Sequence, residues 1–275
     1  MFFRLVFAQV GIILQKRNAM IAVTLVWTFA LINFISNVFA YSGRDVISMY
    51  EPVKILLLAD DSGPSGFYFM QLYPIFVALP AAFSFAEDRD SNEIVFMVSK
   101  TGVKYYFRSK MIAIFLASFF VFLLPLLMEY VLTLLSFPLN AIADNSNVDM
   151  YQEVYIEGVR RYLWCDLYIK APFIYGLFGI VWFAFVSGIL NVFAAAISTF
   201  KVRFKIMLLL PSYFLLYGFM LIGTAFRGIS FSTWYSAYLR TCTLEKKSAL
   251  GVLIALLGVI LLSIIIIERQ ARKDW

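Results

Sequence analysis

The chain has 275 residues, of which 62% are hydrophobic and 15% charged, with a mean hydropathy of +0.84. A soluble domain cannot bury that much apolar surface, so composition excludes an ordinary globular protein and predicts an all-α, polytopic integral membrane protein. The net charge of +6 is met most simply by anionic membrane lipid, with no need for nucleic acid, and the absence of histidine excludes Ser-His, Cys-His and His-metal chemistry.

Taken in order, residues 1–19 open with Arg4, Ala8, Gly11, Gln15 and Asn18 on one helical stripe and Phe3, Phe7, Val10 and Leu14 among the rest. This predicts an amphipathic helix in the membrane interface. No small-residue cleavage site follows the apolar run after Arg4, so no cleavable signal is expected. Six apolar segments then reach spanning length, at about 20–40, 67–86, 111–137, 171–200, 206–226 and 248–267, within one transmembrane domain over 1–275. The first outer loop has Val46, Met49, Tyr50, Val53 and Leu57 at helical spacing, predicting a short helix on the outer surface. Pro74 and Pro80 bend the second span.

Between the second and third spans lies a charged hairpin, 87–110. Asp90 followed by Glu93 reads as a capping box that opens a helix at about Ser91, and Gly102 is placed to stop it. Glu87, Asp88 and Asp90 suit the start of that helix, and Lys100 and Lys104 its end. Ile94, Val95, Met97 and Val98 form its apolar side.

The third span carries Pro125 and Glu129. Glu129 stands about 28 Å along a straight helix from Lys110. It is either a rim carboxylate paired with Arg160 or Arg161, or part of a substrate gate. The second outer loop predicts an amphipathic helix over 150–168, with Trp164 and Tyr168 at the interface. The fourth span is long for an upright helix, so tilt or a break near Ser187-Gly188 is expected. Its Ala184, Gly188 and Ala194-Ala195-Ala196 mark close helix packing. Pro211 bends the start of the fifth span, and the last outer loop, 227–247, is long enough for a re-entrant hairpin. The two cysteines, Cys165 and Cys242, both fall in outer loops and are either bonded to each other or separate thiols.

With both termini inside, the inner segments carry Lys and Arg at about twice the density of the outer loops. There is no Gly-x-x-x-x-Gly-Lys-Ser/Thr loop to hold ATP, and no metal site is expected.

Six spans, an amphipathic N-terminal helix and the acidic-to-basic segment 85–110, closing on Val103-Lys104-Tyr105-Tyr106-Phe107-Arg108-Ser109-Lys110, resemble the permease subunits of type-2 ABC transporters. That resemblance implies a coupling helix over 90–101, docked in a separate ATP-binding subunit through Asp90, Glu93, Ile94, Met97, Val98 and Thr101. It implies no enzyme activity and no cofactor in this chain, with ATP and Mg held by the partner ATPase, present in two copies. It further implies a second permease copy or a paralogue, contact with membrane lipid, and a bacterial plasma membrane with both termini cytoplasmic. The implied function is ATP-driven export of an amphipathic or hydrophobic cargo, first of all a toxic or antimicrobial peptide. Trp27, Phe34, Glu129, Tyr213 and Tyr217 are the pathway candidates. An ion-coupled secondary transporter and a polytopic membrane enzyme are the alternatives.

Overall fold

The computed structural model describes residues 2–44, 52–59, 64–138, 163–200, 202, 204–225, 235–241 and 246–273. These form helices, turns and irregular segments, with no strand among the described residues. The helices are α1 (Phe2–Gln15), α2 (Arg17–Tyr41), α3 (Pro64–Phe76), α4 (Ser84–Asp90), α5 (Glu93–Thr101), α6 (Val103–Ser136), α7 (Cys165–Lys170), α8 (Pro172–Ile197), α9 (Leu210–Ala225), α10 (Ser236–Leu239) and α11 (Lys246–Lys273). A 3₁₀ turn, Lys205–Leu209, leads into α9.

Four of the described helices are long and apolar enough to cross a membrane: α2, α6, α8, and α11 over Ala249–Arg272. The expected second and fifth spans instead appear as interrupted elements, and proline accounts for both breaks. In α3, Pro74 has no N–H to offer the carbonyl of Met70, and the Tyr235 hydroxyl donates to that carbonyl in its place. Turns over 77–83, containing Pro80, then separate α3 from α4. Before α9, Pro211 cannot serve the Met207 carbonyl, so Leu210 donates to it in a 3₁₀ turn.

The bundle is built around α8, which packs against α6, α7, α9, α10 and α11. This helix runs unbroken from Pro172 to Ile197, so the break expected at Ser187-Gly188 does not occur. Ser187 donates to the Phe183 carbonyl one turn back and accepts from the buried Tyr73 hydroxyl at 2.8 Å, tying α3 to α8. Phe69, Tyr73, Phe122 and Phe183 form the aromatic centre, with Tyr73 and Phe183 ring centroids 4.8 Å apart. Ala184, Ala194, Ala195 and Ala196 are fully buried, as their small size predicted.

Gly188 is where α6 comes closest. A Cβ there would lie 2.7 Å from the Phe115 ring and 3.2 Å from the Phe115 carbonyl oxygen. The ring can swing aside, but the carbonyl cannot. Gly188→Ala should therefore destabilise the protein by about 1–3 kcal/mol. Gly218→Ala, in open space, should not. Thermal unfolding of both variants in one detergent checks this, and equal melting temperatures would refute the tight α6–α8 contact.

The outward faces remain apolar. Leu31, Ile35 and Phe39 of α2, Phe214 and Leu221 of α9, and Leu253, Leu257, Leu261 and Ile265 of α11 are all exposed, as suits helices solvated by lipid. α1 departs from its expected stripe. It buries Val6, Gln9 and Ile13 against the bundle, chiefly α6, and leaves Phe3 and Phe7 exposed. The outer-surface helix predicted over 46–57 does not form in its described part: residues 52–59 are turns, with Val53, Ile55, Leu56, Leu57 and Leu58 buried in the bundle, and 46–51 lie outside the described residues.

Candidate functional site

Two groups of polar side chains stand inside this apolar framework, one at each end of α6. The first is centred on α4. Consecutive helical residues point about 100° apart, so four in a row sweep the whole circumference of a helix. Residues 87–90 are all charged, and each meets a different part of the chain. Glu87 accepts from Lys16 Nζ at 2.7 Å and Asn18 Nδ2 at 3.4 Å, at the junction of α1 and α2. Asp88 Oδ2 accepts from Lys110 Nζ and from the Tyr106 hydroxyl, both at 2.6 Å and both on α6. Its other oxygen is 3.6 Å from Lys16 Nζ. Arg89 donates to the carbonyls of Thr199 and Phe200 at the end of α8, which places a cation on the negative pole of that helix. Asp90 pairs with Lys205 at 2.6 Å, and that ammonium holds its carboxyl below the usual carboxylate range.

These pairs differ in weight. Asp88 and Lys110 are each about 3% exposed, whereas Asp90 and Lys205 are about half exposed and screened by solvent. The Asp88 pair is the one that fixes the site.

This geometry corrects the capping-box expectation. Asp90 is the last residue of α4, and α5 begins at Glu93 after Asn92, which sits in the left-handed region at φ 58° and makes no side-chain cap. Asp90 therefore lies at the wrong end of α4 for its dipole, although Glu87 falls in the first turn. Lys16, Lys110 and Lys205 meet these acids instead, and breaking the buried Asp88–Lys110 pair would cost more than a dipole effect of about 0.3–1 kcal/mol. Gly102 does stop α5, at φ 83°, with its N–H donated to the Val98 carbonyl. The chain restarts at once in α6.

Of the expected contact residues, Ile94 is buried, and Met97 and Val98 are half-buried beside it in a cluster with Val6, Ile13, Phe85, Tyr106 and Phe107 of the same chain. Thr101 turns its hydroxyl back to the Met97 carbonyl. Glu93 and Asp90 are exposed. The apolar groups that α5 presents outward are Val95 and Phe96, with Lys100 Nζ 4.1 Å over the Phe96 ring.

The second group surrounds Glu129, which is 3% exposed. Its Oε1 accepts from Asn33 Nδ2 of α2 and from the Leu57 backbone N–H, both at 2.8 Å. Asn33 and Asn37 also donate to the Ile55 carbonyl. A buried irregular segment must satisfy its own backbone groups, and three side chains supply the partners here. Among the described residues, the bonds given to Glu129 come from an amide and a backbone N–H. Arg160 and Arg161, its expected partners, lie outside the described residues.

The remaining candidates are not gathered at one point. Tyr213 stacks on Tyr217 at 4.3 Å, and Tyr217 packs toward Tyr235. Phe34 meets Phe137, and Trp27 is half-buried on α2. α3 packs on both α2 and α9 between these pairs. Cys165 is buried with its thiol 3.7 Å from Asp166 Oδ1, while Cys242 and most of 150–168 lie outside the described residues.

Sequence reasoning missed Lys16, Lys110 and Lys205 as the three partners of the acidic run, and Asn33 and Asn37 as the supports of 52–59. Asn33 left a signal, since a lone amide within an apolar span demands a partner. Comparison with family models, curated proteins and solved structures finds no match to this chain.

Proposed function

We propose that this chain is the membrane-spanning subunit of an ATP-driven exporter, and that α5 is the handle gripped by a separate ATP-binding subunit. The observation that carries this reading is the contrast between α4 and α5. α4 is bound on every side by charged contacts, whereas α5, set off by Asn92 and Gly102, offers Val95, Phe96 and Lys100 outward at the charged end of the bundle. An exposed aromatic and aliphatic pair on a short, well-anchored helix suits docking into a groove. Two such handles, from a second copy or a paralogue, would meet the two ATPases that hold ATP and Mg. This end would then face the cytoplasm of a bacterium, with the six apolar segments in its plasma membrane. The lipid-facing surfaces favour an amphipathic or hydrophobic cargo, with a peptide first.

A second reading has one observation of its own. Glu129, buried among amides within a membrane-length helix, is the kind of group an ion-coupled secondary transporter would use.

The test is co-purification and ATP hydrolysis. A P-loop ATPase should travel with the wild-type chain, and Val95→Asp or Phe96→Asp should lower both its association and transport at least about tenfold. Both side chains are exposed, so insertion and melting temperature should not change. These positions are better probes than Met97 or Val98, whose substitution would disturb the chain's own packing. Wild-type ATPase association and activity in both variants would overturn the assignment of α5. Transport driven by an ion gradient without ATP would favour the second reading.

A further inference from the structure

A pocket of about 620 Å³ opens between the first turns of α6 and the last turns of α11, with Phe2 of α1 at its edge. Its two halves differ in chemistry. The outer half carries Lys104, Arg108 and Arg272, with Glu268 as its one acid. Lys104 and Arg108 are one turn apart on α6, and Glu268 and Arg272 one turn apart on α11, so all four charges come to the same rim. Glu268 is 3.2 Å from Arg108, which leaves Lys104 and Arg272 without a carboxylate partner among the described residues. The inner half is walled by Phe107, Met111, Ile264 and Ile267. It lies beside the exposed apolar face of α11, including Leu261 and Ile265.

We infer that this pocket binds one anionic phospholipid, with its phosphodiester held by Lys104, Arg108 and Arg272 and its acyl chains laid along α6 and α11. Charge complementarity selects the occupant. The rim carries a surplus of two positive charges, the guanidinium groups suit a phosphate, and the apolar wall begins where the charges stop, which is the profile of a lipid at the membrane boundary. A soluble anion would leave the apolar half empty, and an apolar helix would leave the cations unpaired. The size suits a headgroup together with the upper part of its chains. Glu268 acts as a counterweight, drawing Arg108 away from the phosphate. The inference rests on the pocket alone and does not depend on the transport reading.

The experiment is native mass spectrometry of the full chain, purified in detergent, stripped of lipid and then offered phosphatidylglycerol or phosphatidylcholine. The wild type should retain phosphatidylglycerol in preference. Lys104→Gln with Arg272→Gln should weaken retention about fivefold per cation, roughly 25-fold together. Glu268→Gln should strengthen it. Lys104 and Arg272 are exposed and Glu268 is half-buried, and melting temperature in the same detergent reports whether each variant remains folded. Equal retention of the two lipids, or an undiminished preference in the double variant, overturns the site. Displacement of the lipid by excess inorganic phosphate overturns the lipid as its occupant. So does an Ile264→Cys variant that cross-links to a second copy equally well with or without phosphatidylglycerol.

Discussion

Asp88→Ala is expected to be the most damaging single substitution in this chain, costing about 3–5 kcal/mol. The carboxylate holds Lys110 and the Tyr106 hydroxyl at 2.6 Å each, and all three groups are buried. Removing it leaves an ammonium and a hydroxyl without an acceptor in an apolar cluster formed by α1, α4, α5 and α6. A loss of that size is a large fraction of the about 5–15 kcal/mol that holds a typical domain folded. The pair is destructive to break because it is buried, which does not make it strongly stabilising in sum. Replacing Asp88 with Leu, Lys110 with Met and Tyr106 with Phe together should therefore recover most of the loss. Unfolding in a denaturing detergent series reads both outcomes. If Asp88→Ala melts with the wild type, α4 is not anchored through this contact.

Glu129→Ala carries the second large effect. It removes the acceptor of the Asn33 amide and of the Leu57 N–H, with an expected cost of about 2–4 kcal/mol. The loss should be local at first. Residues 52–59 are held by few backbone bonds of their own, so their amides, Leu57 above all, should exchange faster with solvent deuterium. Glu129→Gln keeps a carbonyl oxygen in the same place and should show a smaller change. Unchanged exchange over 52–59 in Glu129→Ala would mean that the carboxylate does not hold this segment.

Much of the helical content was legible because long apolar runs have few alternatives. α6, α8 and α11 fall where the hydropathy places them, and Gly102 ends α5 as a residue free to take positive φ should. What failed did so for four separable reasons. Proline marked the second and fifth apolar segments, yet how far it would disrupt them depended on partners elsewhere in the chain, such as the Tyr235 hydroxyl that takes up the Met70 carbonyl. Val46, Met49, Tyr50, Val53 and Leu57 have spacing that suits a surface helix, and over 52–59 only tertiary contacts from Asn33, Asn37 and Glu129 make a buried turn the better solution. At the candidate site, the acids at 87–90 follow a helix-start pattern, but lysines up to 115 residues away decide where the helix breaks. In so apolar a chain, periodicity also loses contrast. Nothing in the residues of α5 alone tells that Ile94 turns inward and Phe96 outward.

α6 is 34 residues long. The helix carries Lys110 near one end and Glu129 near the other, about 28 Å apart along its axis. A rod of that length pivoting at Glu129 by about 10° would sweep Lys110 sideways by about 5 Å, roughly twice the 2.6 Å that separates it from Asp88. The Asp88–Lys110 contact therefore acts as a brake at the far end of a lever. α6 can swing through even a small angle only after that contact has let go or α4 has moved with it.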